Sequence, residues 1–214
     1  MLKLDHLTVI APTLVEGVSH VRDCLDVDVP FGARHEYMGT YNHRLQLGDG
    51  VYLEIVAVDP GGVKPERPRW FGLDDPEKIR EDWTEGRRLR GWVASTEDIR
   101  SVVSSPSRRA IFGDEVALPP GNPSFAFSIP EDGSLPLDGA APSIIDRRGA
   151  PEAMKQIPDL GARLLSFTLE HPDTSIIKTL YRELAVDRPP SVVPGPKIRY
   201  RAQIETPTGV KELT

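Results

Sequence analysis

The sequence predicts an α+β fold assembled from repeated β-α-β-β-β units. Three observations carry that prediction. Short segments such as "YNHRLQL" (41–47) alternate apolar and polar residues, the period of a half-buried strand. A stretch near the start places Leu14, Val18, Val21 and Leu25 at helical spacings, which marks one apolar helix face. Finally, the pattern restarts. The string "LDHLTVIAP" (4–12) aligns with "LLSFTLEHP" (164–172), with Thr8 on Thr168 and Pro12 on Pro172, and "LRGWVAS" forms a middle copy.

Residues 4–11 read as the first strand, closed by a turn at Ala11-Pro12. Thr13 is then a helix N-cap, and Glu16 three residues on completes a capping box. Strands follow at 33–39, 41–47 and 51–58, and "GDG" at 48–50 joins the last two as a tight hairpin. This first module spans 4–59. A Gly- and Pro-rich connection, 60–88, holds Trp70, Phe71 and Trp83. Within it Asp75-Pro76 reads as an N-cap with proline at the first helical position, opening a short helix with Ile79 and Trp83 on one face. A connection of this length generally builds or covers a site.

The second module, 89–148, is expected to run through the strand "LRGWVAS", the helix "TEDIRSVVSS" and strands at 110–118, 124–130 and 143–147. A third, partial βαββ unit at 162–214 adds a strand and a helix opened by Asp173, with Ile176, Leu180 and Leu184 on its stripe. Strands at 197–205 and 209–213 close it, and the whole is expected to be one compact domain.

Composition narrows the function. Lys and Arg number 26 against 32 Asp and Glu, a net charge of −6, so a nucleic-acid partner is not expected. No run of about 18 apolar residues is present, which argues against a membrane span. The start, "MLKLDHLTVI", is charged where a signal peptide is apolar, and Cys24 is the single cysteine; both point to the cytoplasm. Cys24 falls in the amphipathic helix and reads as a packing residue.

The candidate site begins at His6, in the middle of an apolar strand. The copies of that strand carry Gly91 and Ser166 at its position, so the structural unit recurs and the histidine does not. By strand parity His6 shares a face with Leu4, Thr8 and Ile10. In the hairpin, Leu45, Leu47, Leu53 and Ile55 form the set that packs on the helix, leaving Asn42, Arg44, Gln46, Tyr52 and Glu54 on the other face. A polar sheet face can simply be wet. Here, though, it is mixed with Val56 and Val58, and an unpaired Glu54 in so apolar a strand would be costly to bury. A His and a Glu on nearby strands suit either a divalent metal or an acid–base pair. Thr8, Asn42, Gln46, Tyr52, Trp70 and Trp92 are the substrate-binding candidates. Tyr41 is a candidate proton carrier beside Glu54, with turn chemistry as its alternative. His43 shares parity with Leu45 and is excluded, and Arg199, Arg201 and Gln203 read as a solvated strand face.

The stretches "LDHLTVIAPTLVEG", "MGTYNHRLQLGDGVYLEIVAVDP", "RPRWFGLDD" and "GWVAST" resemble the glyoxalase-like domain proteins of the vicinal oxygen chelate superfamily, best over residues 4–95. That superfamily includes glyoxalase I, methylmalonyl-CoA epimerase, extradiol dioxygenases and bleomycin-binding proteins. The resemblance implies a cupped mixed sheet, with helices on its outer face and the site on its concave face. It also implies metal ligands on the first and fourth strands of each module. At those positions the chain offers His6 and Glu54, then Gly91 and Asp146, so His6, Glu54 and Asp146 are the metal candidates, for Mn, Fe, Ni or Zn. Relatives often carry His where this chain has Tyr41, and Glu then Trp at "DR". The implied function is a metal-dependent enzyme acting on a small oxygenated substrate by isomerase, lyase or dioxygenase chemistry. The alternative is a metal-free, bleomycin-resistance-like protein that sequesters a small molecule. A homodimer is compatible with either.

Overall fold

The computed structural model describes residues 1–149 and 156–214. Strand β1 (Leu2–Ile10) leads into helix α1 (Leu14–Leu25) and then β2 (Phe31–His35), β3 (Thr40–Gln46) and β4 (Tyr52–Val58). Thr13 caps α1 as its spacing requires, its side chain accepting the Glu16 amide. Leu14, Val21 and Leu25 are buried, and Val18 packs beside them against the hairpin leucines. Residues 36–38, read as strand from sequence, form a single 3-10 turn after β2. After the long connection, α2 (Pro76–Thr84) starts at Asp75, whose carboxylate accepts the Lys78 amide.

The second half runs β5 (Leu89–Thr96), α3 (Ile99–Val102), α4 (Pro106–Phe112), β6 (Asp114–Leu118), β7 (Phe125–Ile129) and β8 (Ser143–Asp146). Here the expectation of a strand from 110 fails. Ser105 caps a second short helix with Pro106 in its first turn, and Gly113 ends it. Among the described residues these strands form one sheet in the order β2-β3-β4-β1-β5-β8-β7-β6. β1 lies parallel to β4 and antiparallel to β5, which joins the two halves at the centre. The sheet is strongly curled into a half-barrel. Its concave side is lined by Ile10, Val56, Val93, Phe127 and Ile145, and the long connection lays Trp70 and Phe71 over them.

The last part of the chain does not extend this sheet. β9 (Arg163–His171), α5 (Thr174–Glu183), β10 (Val186–Asp187), β11 (Ser191–Pro194), β12 (Arg199–Thr206) and β13 (Gly209–Leu213) follow in order. β10 adds briefly to the N-terminal end of β1, and the others form a second sheet, β11-β9-β12-β13. That sheet and α1 share the outer core with Leu7, Leu45, Leu53 and Trp92. The buried residues of α5 are Ile177 and Tyr181, one position on from the expected Ile176 and Leu180, while Leu184 at its C-cap is buried as expected.

Two phenols tie the second sheet's unit to the first. Tyr181 donates to the Ala140 carbonyl at 2.6 Å and Tyr200 to the Gly139 carbonyl at 2.8 Å, both buried. Tyr181→Phe and Tyr200→Phe should therefore each cost about 1 kcal/mol in urea denaturation, the loss of one buried hydrogen bond without a cavity.

Candidate functional site

Strand parity would turn Asp5 away from the face that His6 occupies. A β-bulge overrides it. Leu4 pairs with Ala94 and His6 with Val93, so Asp5 is an extra residue in β1. The bulge has two consequences. Leu4 moves to the outer core, against the expectation that it shares a face with His6. Asp5 instead stays beside His6, and its Oδ1 accepts the imidazole Nδ1–H at 2.7 Å.

From β4, Glu54 approaches the other side of the ring, with Oε2 3.4 Å from His6 Nε2. Glu54 Oε1 accepts from Asn42 Nδ2 at 2.5 Å, and Asn42 Oδ1 accepts the Ala33 amide at 2.8 Å, which fixes the orientation of that side chain. Gly32 makes room for it, since a Cβ there would lie 2.2 Å from Asn42 Oδ1. From just beyond β8, Arg147 donates Nε and Nη2 to the two Asp5 oxygens at 2.8 and 2.5 Å, and Nη2 also reaches the Tyr52 hydroxyl at 3.1 Å. Tyr52 stacks on the His6 ring, with centroids 4.5 Å apart. The result is a buried row, Arg147–Asp5–His6–Glu54, of alternating charge.

Burial disfavours the imidazolium, but hydrogen bonds to Asp5 and Glu54, and the charges of both, hold His6 above its ordinary value. Burial likewise opposes ionisation of Glu54, yet the His6 hydrogen bond and charge bring it down to about 2. The same contest at Asp5, burial against Arg147 and His6, leaves its carboxyl well below the usual range. Stability should accordingly have two edges. The depressed carboxylates contribute stability that is present above their unfolded values and lost as pH falls toward their folded ones. The raised histidine contributes stability present below its unfolded value and lost as pH rises through its folded one. The thermal midpoint should therefore peak between about pH 4.5 and 6.5 and fall on both sides. Thermal unfolding across that range checks this, and His6→Gln should remove the alkaline edge.

His6 and Glu54 line a cavity of about 360 Å³, with Asn42, Arg44, Tyr52, Trp70 and Arg147. Phe71, Phe125, Phe127 and Ile145 supply an apolar wall, and His35 and Tyr37 stand at its side. Trp70 packs edge-on against His35 and Phe127. Burial lowers the His35 value, which favours its neutral form.

The expected residues divide cleanly. His6, Asn42, Tyr52, Glu54 and Trp70 come together in the cavity. Thr8 is on the same face but fully buried and outside the cavity lining. Gln46 instead donates to the Ile157 carbonyl at 3.2 Å. Tyr41 packs against the outer core, because its neighbour Asn42 takes the concave face, so it is no proton carrier for Glu54. Trp92 pairs with Leu7 and is 1% exposed, edge-on to Tyr181 in the outer core; it cannot touch a ligand in the cavity. Asp146 follows the cavity-lining Ile145 and accepts the Arg148 amide, so it is not placed to ligate a metal with His6. Sequence reasoning missed Asp5, Arg147, His35 and the two phenylalanines of β7. Of these, only Arg147 left a signal, as a charge directly after an apolar strand.

The donor set does not fit a resident divalent metal. Among the described residues no group of three His, Cys, Asp or Glu side chains converges. The second half of the sheet contributes Val93, Ile145 and Phe127 to the concave side, with the cation of Arg147 next to them. His6 would also have to be deprotonated to ligate, and its two carboxylates favour the opposite state.

A family model described as "Glyoxalase-like domain" matches residues 4–185. The crystal structure of a hypothetical protein from Staphylococcus aureus aligns with a TM-score of 0.51 at 12% identity, covering 99% of this chain and 84% of that one, a likeness of fold. A Streptomyces coelicolor methylmalonyl-CoA epimerase in complex with 2-nitronate-propionyl-CoA aligns with a TM-score of 0.39 at 14% identity, over 70% of this chain and 97% of that one. No helix of the described residues is long and apolar enough to cross a membrane.

Proposed function

The chain belongs to the glyoxalase-like domain family of the vicinal oxygen chelate superfamily, and from that premise we propose that it binds a small oxygenated molecule in the concave cavity and moves a proton on it through Glu54 and His6. The observation that carries this reading is a buried His6–Glu54 pair, 3.4 Å apart, lining a ligand-sized, largely aromatic cavity. Titratable groups that perturb one another inside an apolar cavity with a few convergent polar groups are what a ligand or catalytic site requires.

The chemistry follows from the pair. In the ion pair, Glu54 is a weak base, because the His6 cation stabilises its charge. A substrate carbonyl oxygen that accepts His6 Nε2–H takes that stabilisation away from Glu54 and makes it more basic. Glu54 then accepts the proton from the carbon beside the carbonyl, the C–H bond breaks, and its electrons become an enolate whose oxygen His6 holds. Return of the proton to the opposite face of the same carbon gives the epimer, and return to a different atom of the enolate gives the isomer. Asn42 and Asp5 do not touch the substrate; they position Glu54 and His6. No step is assigned to a metal, since the donors present do not fit one.

The second reading is a protein that sequesters its ligand unchanged. The apolar second half of the concave face, where ligands were expected, favours it. Incubating the protein with a panel of small carbonyl and oxo acids in D₂O, followed by proton NMR, separates the two. Deuterium appearing beside a carbonyl supports the enzyme, whereas ligands that bind without exchange leave sequestration.

A further inference from the structure

Each charge in the row below the cavity has a partner, but Arg44 does not. It is half-buried on β3, directly across from Glu54 in the sheet register, and lines the cavity. No carboxylate lies within ion-pairing distance of it among the described residues, and its Nε is buried without a hydrogen-bond partner. Trp70, 5% exposed and lining the same cavity, has an indole N–H in the same condition. Asp5 faces Arg147, and Glu54 faces His6. Among the described residues Arg44 is therefore the guanidinium in the cavity with no carboxylate facing it, and both unpartnered groups are donors. Buried donors without acceptors are costly, and an anionic acceptor suits a guanidinium best.

The rest of the wall fixes the body of that partner. Trp70, Phe71, Phe125 and Phe127 give flat apolar surfaces, and a volume of about 360 Å³ is at the small end of ligand cavities. We propose that the ligand is a flat, apolar monocarboxylate, with its carboxylate on Arg44 and the Trp70 indole N–H and its body against the phenylalanines. This rests on the cavity being the ligand site, as proposed above, but not on proton transfer there. The carboxylate goes to Arg44 rather than Arg147 because Asp5 already occupies the Arg147 fork.

The test compares 3-phenylpropionate with its neutral isostere 3-phenylpropionamide, titrated by calorimetry and by quenching of tryptophan fluorescence. Wild-type protein should bind the carboxylate about 10- to 100-fold more tightly, the scale of a hydrogen bond to a charged group. Arg44→Gln should abolish the preference while still binding the amide, and Arg44→Lys should keep part of it. Neither probe has to undergo proton exchange to be scored, so a failure of proton transfer reads separately from a failure of this proposal. Circular dichroism confirms that each variant is folded. Equal binding of acid and amide by wild type overturns the proposal, as does a preference that survives Arg44→Gln. Binding of neither probe, or displacement by inorganic phosphate as readily as by phenylpropionate, also overturns it.

Discussion

Glu54→Gln should slow deuterium exchange into the bound substrate by about 10²- to 10⁴-fold, the usual worth of a positioned general base. The substitution preserves shape, and Asn42 can still donate to the remaining carbonyl oxygen. Two things are lost together. The amide cannot accept the proton, and His6 loses one of the two carboxylates that hold it as a cation. The enolate oxygen therefore faces a weaker donor at the same moment that the base disappears. Substrate affinity should change by only a few-fold, since Arg44 and the aromatic wall are untouched. Glu54→Asp, which retracts the carboxylate by one methylene, should recover part of the rate. An unchanged exchange rate in Glu54→Gln would mean that the base is elsewhere.

Arg147→Met should destabilise the fold by about 3–5 kcal/mol, the cost of removing one partner from a buried ion pair. Arg147 is mostly buried, and Asp5 keeps only 8% of its side chain in contact with solvent. Without the guanidinium, Asp5 must hold its charge against His6 alone. Packing would be nearly conserved by methionine, so the loss reports the stranded charge. A double variant, Asp5→Asn with Arg147→Met, should recover a large part of the stability, and the difference between the single and double variants in urea denaturation gives the coupling. Additive losses would show that the bridge is an incidental contact.

How far the sequence discloses this arrangement depends on the range of the physics involved. Local rules reached far. The caps at Thr13 and Asp75, the hairpin at 48–50 and the apolar faces of α1 and β4 are written in neighbouring residues, and they place Asn42, Tyr52 and Glu54 on one side with His6. Parity failed where geometry departs from regularity. The bulge at Asp5 leaves no signature in composition, and it alone puts a second carboxylate beside His6. Asp146 and Arg147 show the same sensitivity: an error of one residue exchanges a supposed metal ligand for the cation that faces the site. Aromatic residues suit both pockets and cores, and only the pairing of Trp92 with Leu7 decides that it belongs to the core. The separate second sheet was also illegible. Strand segments announce themselves locally, but their partners are chosen by contacts far apart in the chain. The helix at 106–112 is written in Ser105-Pro106 and Gly113, and these local signals outweigh the strand expected from 110.

The central claim is that His6 stands as an imidazolium between two carboxylates at the base of the ligand cavity. Its most direct test is a pH titration of the histidine ring nitrogens by NMR in ¹⁵N-labelled protein, with the His6 signals identified by their loss in His6→Gln. The structure predicts that both nitrogens stay protonated above the ordinary histidine value of about 6.5, and that Glu54→Gln and Asp5→Asn each lower the midpoint. A His6 that is neutral at that pH, or a midpoint indifferent to both substitutions, would contradict the account.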